Sequence, residues 1–431
     1  MSVDYDFDVA IVGAGPAGCA AALILARAGI ETVVLERGQY PGAKNVSGAA
    51  LYGPVLHNLV PNYWEDRASF ERHLTTKKIT LLSDARSTTI DVDLRDFNQT
   101  PYNGITVQRP KFDRWLAKKA EEAGAIILPD SMVDDFVWEE KQIVGVKSGN
   151  EVLRAKLVII AEGANHILTE KANLAKHPHA RHYAIAMKET YELPKKQIEE
   201  RFHITGTEGV SNEILGHSRG IPGGGFFYTN ENTLSFGLIL NAKTLTEKKL
   251  KAPEVLEDFK NHSYIRKLLK DAKMVEYSAH MIPEGGFKHL SKLYGNGVLV
   301  VGDAAGMVLN AGLYIEGINF ALESGRIAGE AAKQILETND FTKRSTKIYK
   351  KELKQSFAYK DLKNFKKAAK FLETERIFTH YPELINGLFY RLLSNNGKPR
   401  EKITRAATKH ILKRAKLLGA IKDVIGGLTS L

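Results

Sequence analysis

Residues 8–36 of the chain, DVAIVGAGPAGCAAALILARAGIETVVLE, contain the pattern that decides the fold. The short β-branched run Val9–Val12 is typical of a buried parallel strand, and Gly13, Gly15 and Gly18 follow it at the GxGxxG spacing. The first glycine permits a tight turn, the second lets a pyrophosphate approach the backbone, and the third lets the next helix pack closely on the sheet. The stretch therefore predicts a phosphate-binding turn between a strand and a helix.

The residues after this turn complete a strand, helix, strand unit. A helix predicted over residues 17–28 ends at Gly29, and its free N–H groups and positive dipole end face the phosphates. A second strand, Thr32–Leu35, then brings Glu36 close to the ~20-residue offset at which an acid holds the ribose hydroxyls of an adenosine. The unit as a whole predicts a cofactor that contains ADP.

Cysteine usage limits the chemistry of the chain. Cys19 is its only cysteine, so a disulfide framework is excluded and a reducing compartment is favoured. One thiol can neither form a redox disulfide nor hold an iron–sulfur cluster, which needs about four ligands. Electron chemistry in this chain must therefore come from an organic cofactor.

Charge divides the chain into two parts. The net charge is +11, but residues 343–431 hold 22 Lys or Arg against 7 Asp or Glu, so the rest of the chain is slightly acidic. A basic segment of this kind is typical of contact with nucleic acid, an anionic membrane surface or an acidic protein. The segment contains no recognisable nucleic-acid reader motif, so we expect no nucleic-acid partner.

No stretch of the sequence has the pattern that is typical of a membrane-spanning segment or of an export signal. The uncharged run from Val9 to Ala26 is at the lower limit of spanning length, and it contains three glycines and a proline. Asp4, Asp6 and Asp8 precede it where a signal peptide carries positive charge. We expect a cytoplasmic protein that is soluble or lies peripherally at the inner face of the membrane.

Two further segments have the pattern of the same cofactor site. The first segment, residues 107–133, has Arg109 near its start. Its pattern predicts a helix over about 111–123, followed by a strand that runs toward Val133. A hairpin around Gly149–Asn150 then leads to a strand end at Ala161-Glu162-Gly163. The second segment, residues 297–332, predicts a strand over Val298–Val301 that ends at Gly302-Asp303. A helix is predicted to begin near Gly317.

These motifs carry a resemblance to a known group of proteins. GAGPAG with Glu36, QRPKFDRWL, VIIAEGAN and VGDAAG together resemble the FAD-binding signature of the para-hydroxybenzoate-hydroxylase-like flavoproteins. Residues 40–48 (YPGAKNVSG), 223–228 (GGGFFY) and 279–286 (AHMIPEGG) resemble FixC-type electron transfer flavoprotein:quinone oxidoreductases. The resemblance extends over essentially the whole chain, and geranylgeranyl reductases form a sister branch of this group.

The resemblance implies a site that binds FAD. No metal ion and no catalytic side chain are expected there. The implied cofactor-binding residues are Gly13, Ala14, Gly15, Pro16, Ala17, Gly18, Glu36, Arg37, Lys44, Asn45, Val46, Ser47, Arg109, Val133, Ala161, Glu162, Gly163, Gly302, Asp303, Gly317, Ile318 and Asn319.

Individual roles follow from the resemblance. Glu36 is expected at the adenosine ribose, Arg109 near the ADP part, and the Val133 backbone at the adenine. Asp303 is expected at the ribitol hydroxyls. The amides of residues 317–319 are expected at the flavin N1–O2 edge, where a helix N-terminus stabilises negative charge.

The loop from Lys44 to Gly48 is expected to cover the flavin ring, with Lys44 and Asn45 tuning its potential.

Two positions differ from the wider group. Glu162 stands where many relatives have Asp, which keeps the carboxylate. Gly306 stands where aromatic hydroxylases have His, which disfavours an oxygenase.

The sequence predicts an α/β protein in three parts. Residues 1–180 with 284–342 are expected to form a Rossmann-like FAD-binding domain, residues 181–283 an antiparallel-sheet quinone or substrate domain, and residues 343–431 a basic helical region. In the middle part, Phe226, Phe227 and Tyr228 are either chamber lining or core. His280 is either a proton-exchanging group or a structural histidine.

In the basic region, an apolar stripe runs from Ile403 through Ala407, Ile411, Ala415, Leu418 and Ile421 to Ile425. It fits an interfacial or docking helix, or ordinary packing on the same domain.

The implied function is transfer of electrons from an electron transfer flavoprotein through FAD toward a quinone. The implied partners are the electron transfer flavoprotein subunits and a small ferredoxin-like subunit that supplies the iron–sulfur cluster which this chain lacks. The alternatives are reduction of prenyl double bonds in geranylgeranyl lipids and, less favoured by the motifs, a flavin monooxygenase.

Overall fold

A computed structural model describes residues 4–45, 48–66, 69–175, 182–312, 314–395, 397, 399–414, 423 and 426–431. Its strands are β1 (Phe7–Val12), β2 (Thr32–Leu35), β3 (Ala49–Leu51), β4 (His73–Ser83), β5 (Arg86–Asp93), β6 (Ile105–Val107), β7 (Ile126–Leu128), β8 (Asp135–Glu139), β9 (Gln142–Ser148), β10 (Glu151–Ile160), β11 (Tyr183–Glu192), β12 (Glu208–Gly216), β13 (Gly223–Thr229), β14 (Thr233–Asn241), β15 (Lys273–Pro283), β16 (Tyr294–Gly295), β17 (Val298–Val300), β18 (Leu309–Asn310) and β19 (Ile315–Glu316).

The helices are α1 (Pro16–Arg27), α2 (Gly53–Leu59), α3 (Arg109–Glu122), α4 (Ile167–Lys171), α5 (Lys195–Phe202), α6 (Ala242–Glu247), α7 (Ala252–Asn261), α8 (Ser263–Leu268), α9 (Ile318–Thr338), α10 (Lys343–Leu353), α11 (Phe357–Asn364), α12 (Ala368–Phe371), α13 (Glu375–Phe378), α14 (His380–Leu393) and α15 (Ile403–Arg414).

The first sheet has the parallel centre that the opening stretch predicts. Strands β17, β10, β1, β2 and β7 lie side by side in that order and run parallel, while β16 is added antiparallel to β17 and the β8–β9 pair extends from β10. Val9, Ala10 and Ile11 are fully buried. A strand that is buried on both faces carries a continuous apolar run, as β1 does from Val9 to Val12.

Helices α1 and α9 pack closely beside this sheet because small residues line their contact. A Cβ placed on Gly325 of α9 would collide with the carbonyl oxygen of Ala17 in α1. Helix α3 begins at Arg109, two residues before the predicted start, since Pro110 is favoured in a first helical turn. The predicted βαβ unit is confirmed, with β2 over the predicted residues and α1 shifted by one residue.

The second sheet has the order β15-β11-β14-β13-β12-β4-β6-β3, with β5 beside β4. On β14, Leu234, Phe236 and Leu238 are fully buried on one face, where Phe259 of α7 stacks on Phe236 at 6.0 Å between ring centres. Residues at the alternate positions point to the opposite face. Strands β11 and β14 pair antiparallel, and β13 and β14 form a hairpin, so the middle part of the chain contains the antiparallel pairing that the sequence predicts.

This sheet is larger than the one predicted within residues 181–283. Four of its strands, β3 to β6, come from residues 49–107, and β4 pairs with β12 in parallel, so the sheet is not antiparallel throughout. Strand β4, HLTTKKITLLS, and the largely exposed β5 lack a regular apolar alternation. Their pairing depends on the free edge of β12, which no local pattern reveals.

The described residues after Lys343 form helices and no strand, as predicted. They attach to both sheets. The Thr346 hydroxyl in α10 donates to the Gly295 carbonyl at 2.8 Å, and the Asn386 amide in α14 donates to the Leu81 carbonyl of β4 at 3.0 Å. Among the described residues, no helix combines the length and the hydropathy needed to cross a bilayer.

Candidate functional site

A cavity of about 430 Å³ lies at the carboxyl ends of β1, β10 and β17, below the inner face of the second sheet. We call it the first cavity. Most residues predicted to bind the cofactor line it: Gly13, Gly15, Pro16, Ala17, Glu36, Arg37, Lys44, Asn45, Arg109, Val133, Ala161, Glu162, Gly163, Gly302, Asp303, Gly317 and Ile318.

The remaining predicted residues lie beside the cavity or outside the description. Ala14 and Gly18 are buried in the turn and helix behind it. Asn319 is 2% exposed, and its side chain accepts from the Tyr52 amide at 3.0 Å and donates to Glu316 at 3.1 Å. Its side chain therefore secures the start of α9. Val46 and Ser47 lie outside the described residues.

The glycines of the turn divide into two kinds. A Cβ on Gly13, where φ is +103°, would lie 2.5 Å from the Ala161 carbonyl oxygen, so this residue keeps β1 and β10 close. A Cβ on Gly15 or Gly317 meets no protein atom within 4 Å, because both positions face the cavity. Space beside the backbone at two helix starts is what a phosphate-linked flavin cofactor needs. The residues present therefore fit FAD.

Two acids at the cavity have different partners. Glu36 accepts hydrogen bonds from the Ala14 amide at 2.9 Å and the Gly38 amide at 2.7 Å, so it connects the phosphate turn to the end of β2. Glu162 accepts from the Leu168 and Thr169 amides at 2.9 and 2.7 Å. Its carboxylate therefore caps α4, which gives this acid a structural role beside the cavity.

Arg109 is held by a buried carboxylate. Its Nε and Nη2 both donate at 2.8 Å to Asp113, which is fully buried, and the Asn45 side-chain amide donates to the same carboxylate at 2.6 Å. A bidentate pair orients the guanidinium plane. The loop of Asn45 and the helix of Arg109 are thus positioned by one acid that the sequence analysis did not single out.

Electrostatics near the end of β17 come from buried groups of both signs. Burial raises the pKa of the Asp303 carboxyl, although the positive charge of Arg109 lowers it. Burial lowers the pKa of His280, which lines the cavity from β15. His280 therefore lies where it can meet a cofactor, and its ring is favoured in the neutral form.

Lys188 of β11 is a cavity residue that sequence reasoning missed. It is 5% exposed, and burial, followed by the positive charge of Arg109, lowers its pKa to about 7, while Glu276 raises it. The available signal was a lysine in the middle of the apolar strand YAIAMKETYE. Lysine is rarely fully buried without a partner, so this position is unusual.

The aromatic run on β13 is divided between the core and the cavities. Phe227 is fully buried and lies 5.1 Å from Phe202 between ring centres, whereas Phe226 and Tyr228 stack at 5.4 Å on the opposite face and line the first cavity. Both interpretations of the run thus apply, at alternate residues, because successive strand residues point to opposite faces.

A second cavity of about 720 Å³ adjoins the first. It lies between the second sheet, the loop around residues 310–315 and the C-terminal helices. The residues that line both cavities, and so form their shared wall, are Ala50, Phe226, Tyr228, Ile239 and Ile315. An apolar chamber therefore adjoins the cofactor cavity directly.

Few acidic groups line this second cavity. Burial raises the pKa of Glu213 on β12, against the nearby Lys77, whose ammonium is 3.4 Å away. Burial also raises the pKa of Glu284, which accepts a hydrogen bond from Asn310 at 2.9 Å. Burial raises the pKa of Tyr52 to about 12. Burial therefore shifts Glu213, Glu284 and Tyr52 toward their neutral forms, as expected beside an apolar chamber.

Family models match three parts of the chain. Residues 6–201 match the FAD binding domain, residues 183–282 match the ubiquinone-binding region of ETF-QO (electron transfer flavoprotein:quinone oxidoreductase), and residues 368–431 match the ETF-QO/FixC family C-terminal domain. The predicted FAD cofactor is thus confirmed.

Curated relatives match over the full length. Protein FixC of Escherichia coli K12 is 40% identical over 432 residues, which cover 100% of both chains. The probable electron transfer flavoprotein-quinone oxidoreductase YdiS of the same strain is 37% identical and covers 99% of this chain and 100% of its own length.

Solved structures share the fold at low identity. A geranylgeranyl bacteriochlorophyll reductase-like protein from Thermoplasma acidophilum has a TM-score of 0.72 at 22% identity, covering 97% of this chain and 98% of its own. The myxobacterial halogenase CndH has a TM-score of 0.68 at 17% identity, covering 94% and 96%. These similarities establish the fold alone. Because full-length relatives at 40% identity and two ETF-QO models agree, the chain belongs to the ETF-QO/FixC family of FAD-dependent oxidoreductases.

Proposed function

We propose that this chain accepts electrons from an electron transfer flavoprotein on its FAD and passes them to a quinone bound in the second cavity. The observation that carries the proposal is the shared wall of the two cavities, since it places an apolar chamber beside the cofactor. The family membership and the ubiquinone-binding match support the acceptor, and the name of the relative YdiS supports the donor.

FAD supplies redox chemistry that can change by one or two electrons. The residues of the chain bind the cofactor and orient it. Glu36 and the turn at Gly13–Gly18 are expected to hold the ADP part, and Asp303 the ribitol. Phe226 and Tyr228 lie in the shared wall between the cofactor and the acceptor. The buried acids Glu213 and Glu284, whose pKa values burial raises, line the acceptor chamber, where reduction of a quinone to a quinol consumes protons.

The proposed donor complex includes a ferredoxin-like subunit. Cys19, the single cysteine, is buried inside α1, so this chain offers no set of thiolates for a cluster. A cluster on the electron path must then belong to another subunit. The basic region of residues 343–431 supplies charge that complements an acidic partner or an anionic surface.

The apolar stripe that begins at Ile403 is exposed in its described part. This exposure favours a docking role for the stripe over packing on its own domain. Ile403 is 71% and Ile411 39% exposed, whereas Ala406 and His410 form the buried face of α15, and the His410 ring lies 3.0 Å from the Leu384 carbonyl oxygen. The stripe residues Ala415, Leu418, Ile421 and Ile425 lie outside the described residues. We propose that this exposed face makes a peripheral contact with the membrane that holds the quinone.

Reoxidation of the reduced flavin tests the acceptor chamber. Ala369 lines the second cavity only, so Ala369→Trp narrows the chamber and leaves the cofactor cavity intact. We expect a short-chain ubiquinone to reoxidise the variant about tenfold more slowly, the factor that a loss of about 1.4 kcal/mol of binding gives. Reoxidation by ferricyanide should be unchanged.

The matched control is Ala28→Trp at the exposed end of α1, which should behave as the unaltered chain. Equal quinone rates in both variants would contradict a quinone in this chamber. Reduction of a geranylgeranyl chain without quinone turnover would instead support the prenyl reductase alternative. Reduction of the flavin by a purified electron transfer flavoprotein tests the donor separately.

A further inference from the structure

Lys188 is a buried amine that faces the first cavity and has no counter-ion among the described residues. It is 5% exposed and lines that cavity from β11. Among the described residues, its ammonium makes no hydrogen bond and no ion pair; its one recorded contact is with the Phe226 ring, whose centre is 5.5 Å away. Burying a charge without a partner costs several kcal/mol, so such a group points to a ligand that pairs with it.

The backbone around Lys188 leaves room for this side chain. A Cβ on Gly48, in the loop expected to cover the flavin ring, would lie 3.2 Å from the Lys188 ammonium. Across the sheet, Lys188 lies opposite Gly237, where a Cβ would collide with the Phe226 ring. Two glycines therefore keep the ammonium and the neighbouring ring beside the cavity.

A second unpartnered polar group lies next to Lys188. Ser278 of β15 is directly opposite it, so both side chains are on the cavity face of the sheet. The Ser278 hydroxyl oxygen is buried and has no hydrogen-bond partner among the described residues. Lys188 lines the cavity and Ser278 lies beside it, so the ammonium, which has no hydrogen-bond partner among the described residues, suits an acceptor atom of a molecule bound there.

The surrounding charges come from several elements. Arg109 of α3 adds positive charge, although Asp113 pairs with it, and Glu276 of β15 adds negative charge. The other charged or titratable groups that line the same cavity are Glu36, Arg37, Lys44, Glu162, Tyr228, His280, Asp303 and Glu316.

We propose that the Lys188 side chain, as an ammonium, stabilises the negative charge that reduction places on FAD in this cavity, and that where this side chain is a neutral amine it takes up one proton from solvent on reduction. Two electrons and one proton leave one negative charge on the flavin, and Lys188 pairs with that charge. The proposal depends on FAD in the cavity and not on the identity of donor or acceptor.

The pH dependence follows from the charge state. Burial, followed by the positive charge of Arg109, lowers the pKa of Lys188 to about 7, and a negative charge on a bound flavin would raise it. Below about pH 7 the ammonium is already present, so the stabilisation is complete. Above that pH the protein must bind a proton on reduction, so the flavin midpoint potential falls more steeply with pH. The stabilisation is lost once the pH exceeds the raised pKa of the reduced state.

Spectroscopic redox titration of the purified FAD-loaded chain at several pH values tests this. At pH 6 and a fixed ambient potential, we expect the ratio of reduced to oxidised flavin to be at least tenfold lower in Lys188→Met than in the unaltered chain. For a two-electron couple, this factor corresponds to a midpoint potential that is lower by about 30 mV. The difference from the unaltered chain should decrease as the pH rises well above 7. Lys188→Arg, which keeps its charge, should retain the potential at pH 6 and lack the extra pH dependence.

The control is Lys273→Met, which removes the same charge from an exposed position on β15 and should leave the potential unchanged. Flavin content and the melting temperature of each variant establish folding, and Lys188→Gln replaces any variant that does not fold. Equal potentials and equal pH slopes for Lys188→Met and the unaltered chain would overturn the proposal. An equal shift in Lys273→Met would reduce it to a general charge effect and overturn it as well.

Discussion

At the scale of a single residue, Glu36 connects the phosphate turn to the end of β2 and lines the first cavity. Its carboxylate accepts from the Ala14 and Gly38 amides, and it lines the cavity where the adenosine ribose is expected. The same acid therefore organises the turn and remains available to a ligand, because an ionised carboxylate offers about four lone-pair sites.

Removal of this carboxylate is predicted to weaken FAD binding. We expect Glu36→Ala to cost about 1–3 kcal/mol of FAD affinity, through loss of charge-assisted hydrogen bonds and a less ordered turn. Fluorescence titration of the FAD-stripped protein measures the affinity. Glu31→Ala, at an exposed acid just before β2, is the matched control and should bind FAD normally. Unchanged affinity in Glu36→Ala would remove Glu36 from the cofactor site.

At the scale of the elements, the crossing of α1 and α9 sets the position of the cofactor site. Both helices begin at the cavity, one at Gly15 and Pro16 and the other at Gly317 and Ile318. Gly325 brings their backbones into contact. The distance between the two helix starts therefore depends on a residue that does not itself line the cavity.

Two glycine substitutions separate packing from ligand binding. Gly325→Ala forces α9 away from Ala17 and is expected to lower the free energy of unfolding by about 1–3 kcal/mol, with or without FAD. Gly15→Ala places its methyl group in the cavity, so it should weaken FAD binding while lowering the stability of the FAD-free chain by less than about 1 kcal/mol, because Ala is a poorer N-cap than Gly but restricts the unfolded chain. Urea unfolding with and without FAD measures both effects. Similar losses of FAD-free stability in the two variants would refute the distinction.

At the scale of the whole molecule, charge and apolar exposure coincide at the C-terminal region. Leu393, Ile403 and Leu412 are 74%, 71% and 61% exposed in a segment rich in lysine and arginine. Exposed apolar side chains beside basic ones are typical of helices that lie in a membrane interface.

Liposome co-sedimentation tests this surface. We expect the full chain to bind anionic vesicles and Ile403→Gln with Ile411→Gln to bind them several-fold more weakly. Lysines near anionic lipid contribute about 1 kcal/mol each, within a Debye length of ~10 Å, so binding should weaken as salt rises. Val152→Gln, at another exposed apolar residue, is the control. If the double variant and the control bind equally, α15 does not contact the membrane.

The sequence by itself determined the first sheet, its phosphate turn and the cofactor class, because these depend on local spacing. Gly13, Gly15, Gly18 and Glu36 act within one strand, helix, strand unit, so their roles are visible in 29 consecutive residues. Antiparallel sheet in the middle part of the chain was also predicted, since strand-like runs separated by turn residues are a local pattern.

Only the tertiary structure decided which side of those elements meets the ligand. It divided Phe227 from Phe226 and Tyr228, exposed Ile403, and joined β4 to β12. It also brought Lys188, on one sheet, beside a cavity whose floor belongs to the other. Such placements depend on contacts between residues far apart in the chain, and the free energy of burial is decided by those contacts rather than by sequence neighbours.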